Sequence, residues 1–243
     1  MQGWRSAVAA VPSAVHRVRR GCVMSDPETE ARQRTPPWVT RAPREVIETL
    51  PELNDFCLQV LAEQARAGCP HAAVSRIAHL WLQLNAAGRL RAANHPYLLF
   101  DAGFSDPQRW QNLDRPQIND GSPQAYGALF TGSRAVAASE MMFVFAWSLA
   151  RRHPVQARLA LGLHPLCAER ITADSVLGAH QLGHRLWMWL RPRWLDTPEF
   201  WDELLQAAAE GGAAQLRARI QGMRLLAAQT AAALRPRSRR ESA

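Results

Sequence analysis

Residues 95–110, HPYLLFDAGFSDPQRW, and residues 184–201, HRLWMWLRPRWLDTPEFW, read as two versions of one stretch. Each opens on a His and runs through an apolar segment of strand length. Each then turns through Asp106-Pro107 or Asp196-Thr197-Pro198 into a short helix that carries a Trp. Asp before Pro is a helix-start signal, because the carboxylate caps free N–H groups and Pro loses nothing at the first helical position. The copies stand roughly ninety residues apart, beyond the ~20–50 residue period of a solenoid, so the repeated unit reads as a small domain. The expected architecture is a tandem pseudo-repeat of two small orthogonal helical bundles, each with one short strand-like segment.

The rest of the chain favours an all-α fold. Ala and Leu are abundant, β-branched residues are sparse, and apolar positions recur at steps of three and four. The 243 residues leave room for one or two domains. No apolar run reaches the ~18 residues of a membrane span, so no membrane association is expected.

Residues 1–42 are expected to be extended or disordered. In residues 1–23 the apolar AVAAVPSAV is broken by Pro12 and followed, not preceded, by HRVRR, the wrong order for a secretory signal. That segment reads as an untranslated start-site misassignment ahead of Met24, or as a disordered arm. The first helical unit spans 43–113, with a helix over 46–67 interrupted near Pro51 and another over 71–87. Residues 114–136, dense in Gly, Pro, Asn, Asp and Ser, read as a linker.

The second unit spans 137–234. A helix from Ser139 to Arg152 is apolar nearly all round, through Met141, Met142, Phe145, Trp147 and Leu149, and reads as central. Helices follow from Pro154 to Gly162, from Pro165 to Ile171, and from an Asp174 cap to His184. Residues 186–189 read as a strand and 198–209 as a helix; Gly211-Gly212 precedes a last helix over 213–234, and 235–243 form a basic tail.

Charge is carried by the ends. Of the net +8, residues 1–24 hold +4 and residues 235–243 hold +3, which leaves +1 for the body. All 29 basic residues are Arg, as a GC-rich genome would produce, and this excludes a P-loop or Schiff-base lysine.

Signals for chemistry are sparse. Cys22, Cys57, Cys69 and Cys167 show no C-x₂-C pairing, and Cys69, His71 and His79 lack a fourth ligand. His180 and His184 stand at i, i+4 without a Glu between them, and with His153 and His164 they read as surface or core-edge residues. No G-x-S-x-G or G-x-G-x-x-G motif is present. Asp196, Glu199, Asp202 and Glu203 suit the positive end of a helix dipole. The expectation is a protein that is not an enzyme and has no cofactor, no metal and no evident small-molecule substrate. Four cysteines without a secretion signal suit the cytoplasm.

From about Ser139 onward the order of elements resembles the flagellar master-regulator subunit FlhD and its relatives on conjugative elements. The resemblance rests on FVFAWSLARR, VQARLALGL, CAERITADSVLGAHQLGH, LWMWLRPRW and IQGMRLLAAQT with its basic tail. It implies a small all-α transcriptional activator that forms homodimers and acts on DNA with a partner, FlhC, which brings a zinc site. The family's strand cysteine has no counterpart in LWMWLRP. The family is also a single unit, so residues 43–113 would take the place of a second protomer in a fused pseudo-dimer.

Two functional expectations follow. One is a regulator or co-regulator of the FlhD kind, with an FlhC-like partner or self-association, touching DNA through Arg191, Arg193, Arg217, Arg219, Arg235, Arg237, Arg239 and Arg240. Trp187, Trp189 and Trp194 interleave with Arg185, Arg191 and Arg193, which suits either base stacking or a core rimmed by arginines. The other is a non-enzymatic helical adaptor of a secretion, flagellar or conjugation system, without DNA binding. The near-neutral body favours the second unless a partner supplies the positive surface.

Overall fold

The two stretches that read alike lie against each other. The computed structural model describes residues 44–69, 71–111, 113 and 129–234. Phe100–Asp101 (β1) and Arg191–Pro192 (β2) form an antiparallel two-stranded sheet, with Phe100 opposite Pro192 and Asp101 opposite Arg191. Flanking bonds run from Leu98 N to the Ala160 carbonyl (2.8 Å) and from Arg193 N to the Leu99 carbonyl (2.9 Å).

The two strands leave the sheet in the same way. Each reaches a residue with positive φ, Gly103 at 81° and Trp194 at 54°. The amide three residues on then donates back, Asp106 N to Gly103 O at 3.2 Å and Thr197 N to Trp194 O at 3.0 Å. Each following helix returns its indole N–H to the turn, Trp110 to Gly103 O (2.8 Å) and Trp201 to Arg193 O (2.7 Å). At 103 only glycine fits, since a Cβ would stand 2.7 Å from the Trp189 ring. Trp194 holds a left-handed backbone at a cost of about 1–2 kcal/mol. Edge contacts to Phe200 (centroids 4.6 Å apart) and Tyr97 (6.0 Å) offset it.

Ten α-helices surround this sheet among the described residues: α1 Arg44–Arg66, α2 Ala72–Gln83, α3 Ala86–Ala93, α4 Pro107–Gln111, α5 Ser133–Arg152, α6 Pro154–Leu161, α7 Pro165–Ala173, α8 Val176–Leu186, α9 Pro198–Glu210 and α10 Gly212–Leu234. The fold is all-α, as the periodicity indicates. Several ends are set by local chemistry. Asn85 and Ser175 accept the Gly88 and Gly178 amides at 2.8 and 3.1 Å as N-caps of α3 and α8, and Gly162 (φ 59°) closes α6.

Other elements depart from expectation. Pro51 lies inside an uninterrupted α1; it removes one backbone bond, and the helix continues because Leu53, Cys57, Leu58, Val60 and Leu61 bury its face. The expected helix over 71–87 divides at Leu84 and Asn85, where Asn85 starts a new one. α5 starts six residues before Ser139, within the expected linker, and Ser175 rather than Asp174 caps α8. Residues 186–189 are not a strand: α8 runs through Leu186, Trp187–Trp189 form a 3-10 turn, and the strand follows at Arg191–Pro192. Backbone pairing with residues ninety positions earlier decides that placement, which local sequence does not encode. Residues 1–42, 114–128 of the expected linker and the tail 235–243 lie outside the described residues.

The described residues belong to one compact unit, and helices from both halves fill one apolar core. α1 packs on α5, and α9 packs on α2 and α3. Arg91 caps the end of α9, donating to the carbonyls of Ala208 (2.7 Å) and Ala209 (3.0 Å). Arg76–Asp202 and Arg134–Glu63 are ion pairs between the halves. No helix among the described residues is long and apolar enough to cross a membrane.

Candidate functional site

Among the described residues, the arginines singled out in the sequence, Arg191, Arg193, Arg217 and Arg219, do not gather into one face. Arg193 is 2% exposed. Its Nε donates to the Leu98 carbonyl (3.0 Å), Nη2 to the Leu161 carbonyl (2.6 Å) and Nη1 to Gln229 (3.3 Å), and Asp101 lies 3.3 Å away. Burial lowers its pKa, and Asp101 works against that shift. Arg193 is thus an internal strut and is withdrawn from any phosphate. Arg191 is half-buried and pairs with Asp101 at 3.8 Å. Arg217 is exposed on α10, while Arg219 turns inward enough for its cation to act on His95 and Tyr97. Arg235, Arg237, Arg239 and Arg240 lie outside the described residues.

The aromatics serve packing. Trp189 meets Trp110 edge-on (6.1 Å) and carries Arg109 over its ring at 5.7 Å. Trp187, Trp189 and Trp194 are all partly buried against the core, which favours the core reading of this Arg-Trp run. The acids of the α9 start include Asp202, taken up by Arg76.

Several of the described histidines and cysteines have structural contacts. His180 and His184 both face Glu140 of α5, at 3.6 and 2.9 Å. His164 caps α7, its Nδ1 accepting from Leu166 N at 3.2 Å. His79 bonds Gln83 at 2.9 Å, and Cys69 lies 3.7 Å from the Leu129 carbonyl. Buried Cys57 faces Met142 Sδ at 3.9 Å, and burial raises its pKa and that of Cys167. Among the described residues no three His, Cys, Asp or Glu side chains form a group that could hold a metal ion.

The feature that stands out is an apolar groove of about 720 Å³ between α1 and α5. α1 contributes Leu53 and Phe56, and α5 contributes Met141, Val144 and Phe145. Glu52, Glu140 and His180 stand among its lining residues. Arg134 lies over the Phe56 ring at 5.0 Å. Helix α5 divides its apolar residues between two faces: Met142, Phe143, Ala146 and Leu149 enter the core, whereas Met141, Val144 and Phe145 line the groove. The signal was present in the sequence as a helix apolar nearly all round. It reads as a central helix, and it equally describes one whose second face is open.

No protein-family model, curated protein or solved structure matches this chain. The class is therefore defined by the fold alone, an all-α bundle closed by one two-stranded antiparallel sheet.

Proposed function

We propose that this protein is a non-enzymatic helical adaptor, a module that works by holding partner proteins. The α1–α5 groove carries this reading. Its lining is apolar and open to solvent, and its two helical walls suit a partner helix laid between them.

The test is affinity purification of the full chain from its own host, followed by binding measurements with the recombinant partner so identified. Met141→Asp with Val144→Asp is expected to weaken that binding by roughly 30-fold or more, the size of a hot-spot loss, with circular dichroism unchanged. A partner that binds the double variant as tightly as wild type overturns the groove as the site.

One observation favours the second reading, a DNA-binding regulator of the FlhD kind with an FlhC-like partner. α10 contains Arg217, Arg219 and Arg224 and no acid. A mobility shift at physiological salt, with or without the partner, would support that reading against the adaptor. The reciprocal β1–β2 pairing further supports a chain that carries its own pairing partner, residues 43–113 standing where a second protomer would.

A further inference from the structure

Helix α10 has two apolar faces, and the fold uses one. Ala218, Gly222 and Leu226 are buried, with Gly222 so close to Tyr97 that an added Cβ would meet its Oη at 1.9 Å. The other face carries Leu216, Ile220, Met223, Ala227, Thr230 and Leu234, in alternating steps of four and three residues. That is the spacing of a coiled-coil seam. Leu216 is 59% exposed, Met223 54% and Leu234 43%. At 1.5 Å per residue the seam runs about 27 Å.

Helix α6 lies beside the C-terminal half of this seam. Its Val155 (59% exposed) and Leu159 (69%) complete a groove of about 490 Å³ with Met223, Leu226, Ala227 and Leu234. A ridge at heptad spacing beside a second apolar wall offers the knobs and holes that another helix needs.

Charge selects the occupant. Neither α6 nor α10 contains Asp or Glu. Arg158 lines the groove, and Arg217 and Arg224 directly follow the seam residues Leu216 and Met223. Beyond Leu234 the sequence continues RPRSRR. Arg217 shares a surface pocket with Glu203 and Glu210 near the start of the helix, but Arg158 and Arg224 have no ion pair among the described residues. A second copy laid on this face would set arginine against arginine, with no carboxylate from α6 or α10 in reply. A nucleic-acid backbone would answer the arginines but leave the Leu, Ile and Met ridge against a polar, hydrated surface.

We propose that the α6–α10 face docks an amphipathic helix of a partner protein, one with a matching apolar stripe flanked by Glu or Asp. This deepens the adaptor reading, on which it rests for the existence of a protein partner, but it uses different residues from the α1–α5 groove.

Two synthetic helical peptides serve as probes for the full chain, with identical Leu/Ile stripes and either Glu or Lys at the flanking positions. Fluorescence anisotropy at low salt is expected to show the Glu peptide bound at least roughly tenfold more tightly, with the advantage shrinking as salt is added. Leu159→Asp with Met223→Asp abolishes binding. Arg158→Glu with Arg224→Glu inverts the preference toward the Lys peptide, a gain that a misfolded protein cannot show. Equal affinity for both peptides, binding of neither, or an unchanged preference in the charge-reversed protein overturns the proposal. So does a stable wild-type homodimer that Met223→Asp dissociates. Met141→Asp with Val144→Asp leaves peptide binding intact, so failure here is distinguishable from failure of the α1–α5 groove.

Discussion

His95, the residue that opens the first of the two like stretches, is buried beneath Tyr97, their rings 5.2 Å apart, and its Nδ1 has no hydrogen-bond partner. Burial, with a smaller push from the Arg219 cation, lowers its pKa to about 3 from the usual 6.5. Between those values the unfolded chain binds a proton that the folded chain refuses, so stability rises with pH across that window. The contribution is complete above about pH 6.5 and is lost as pH falls, at up to about 1.4 kcal/mol per pH unit. Urea unfolding at pH 7, 6 and 5 is expected to show a steeper loss in wild type than in His95→Gln. The comparison with the variant separates this from carboxylate titration, and equal slopes would contradict it.

Among the elements, α5 and α8 pack closely at Gly183. A Cβ on Gly183 would stand 2.6 Å from the Glu140 Cα and 2.9 Å from the Ser139 carbonyl, backbone atoms that cannot turn aside. Gly183→Ala therefore forces the helices apart, and a loss of about 1–3 kcal/mol in urea unfolding is expected in spite of alanine's better helix propensity. A wild-type midpoint would show that the crossing adapts. Many element ends could be read directly from sequence. Pro154, Gly162, Pro165, Pro198 and Gly211 each mark one, because caps and φ restrictions act within a few residues. The strand could not be read. Leu186 and Trp187–Trp189 look like a β segment by composition, but hydrogen bonding to β1 starts only at Arg191.

For the molecule as a whole, Arg193 joins regions that are distant along the chain. Its guanidinium ties the approach to β1 at Leu98, the end of α6 at Leu161 and the last helix at Gln229. Arg193→Met would leave Asp101 without its nearest cation and two carbonyls without donors, an expected loss of about 3–5 kcal/mol in urea unfolding. Arg193→Lys should recover little of it, since a single ammonium cannot span the same fork. A loss below about 1 kcal/mol in Arg193→Met would remove the strut role.

The same residue separates what each level of description decides. Sequence alone established an all-α chain, the Pro and Gly signals that bound many of its helices, and the likeness of residues 95–110 to 184–201, because these depend on backbone propensity and φ restrictions within a turn or two. It could not assign Arg193, which in the chain is one more arginine in an Arg-Trp run. Tertiary structure decided that this arginine is interior and that the two like stretches pair with each other. It also turned Met141, Val144 and Phe145 toward an open groove and brought Val155 and Leu159 beside the α10 seam. Burial and exposure are set by what packs on a residue, and here the packing partners lie far away along the chain.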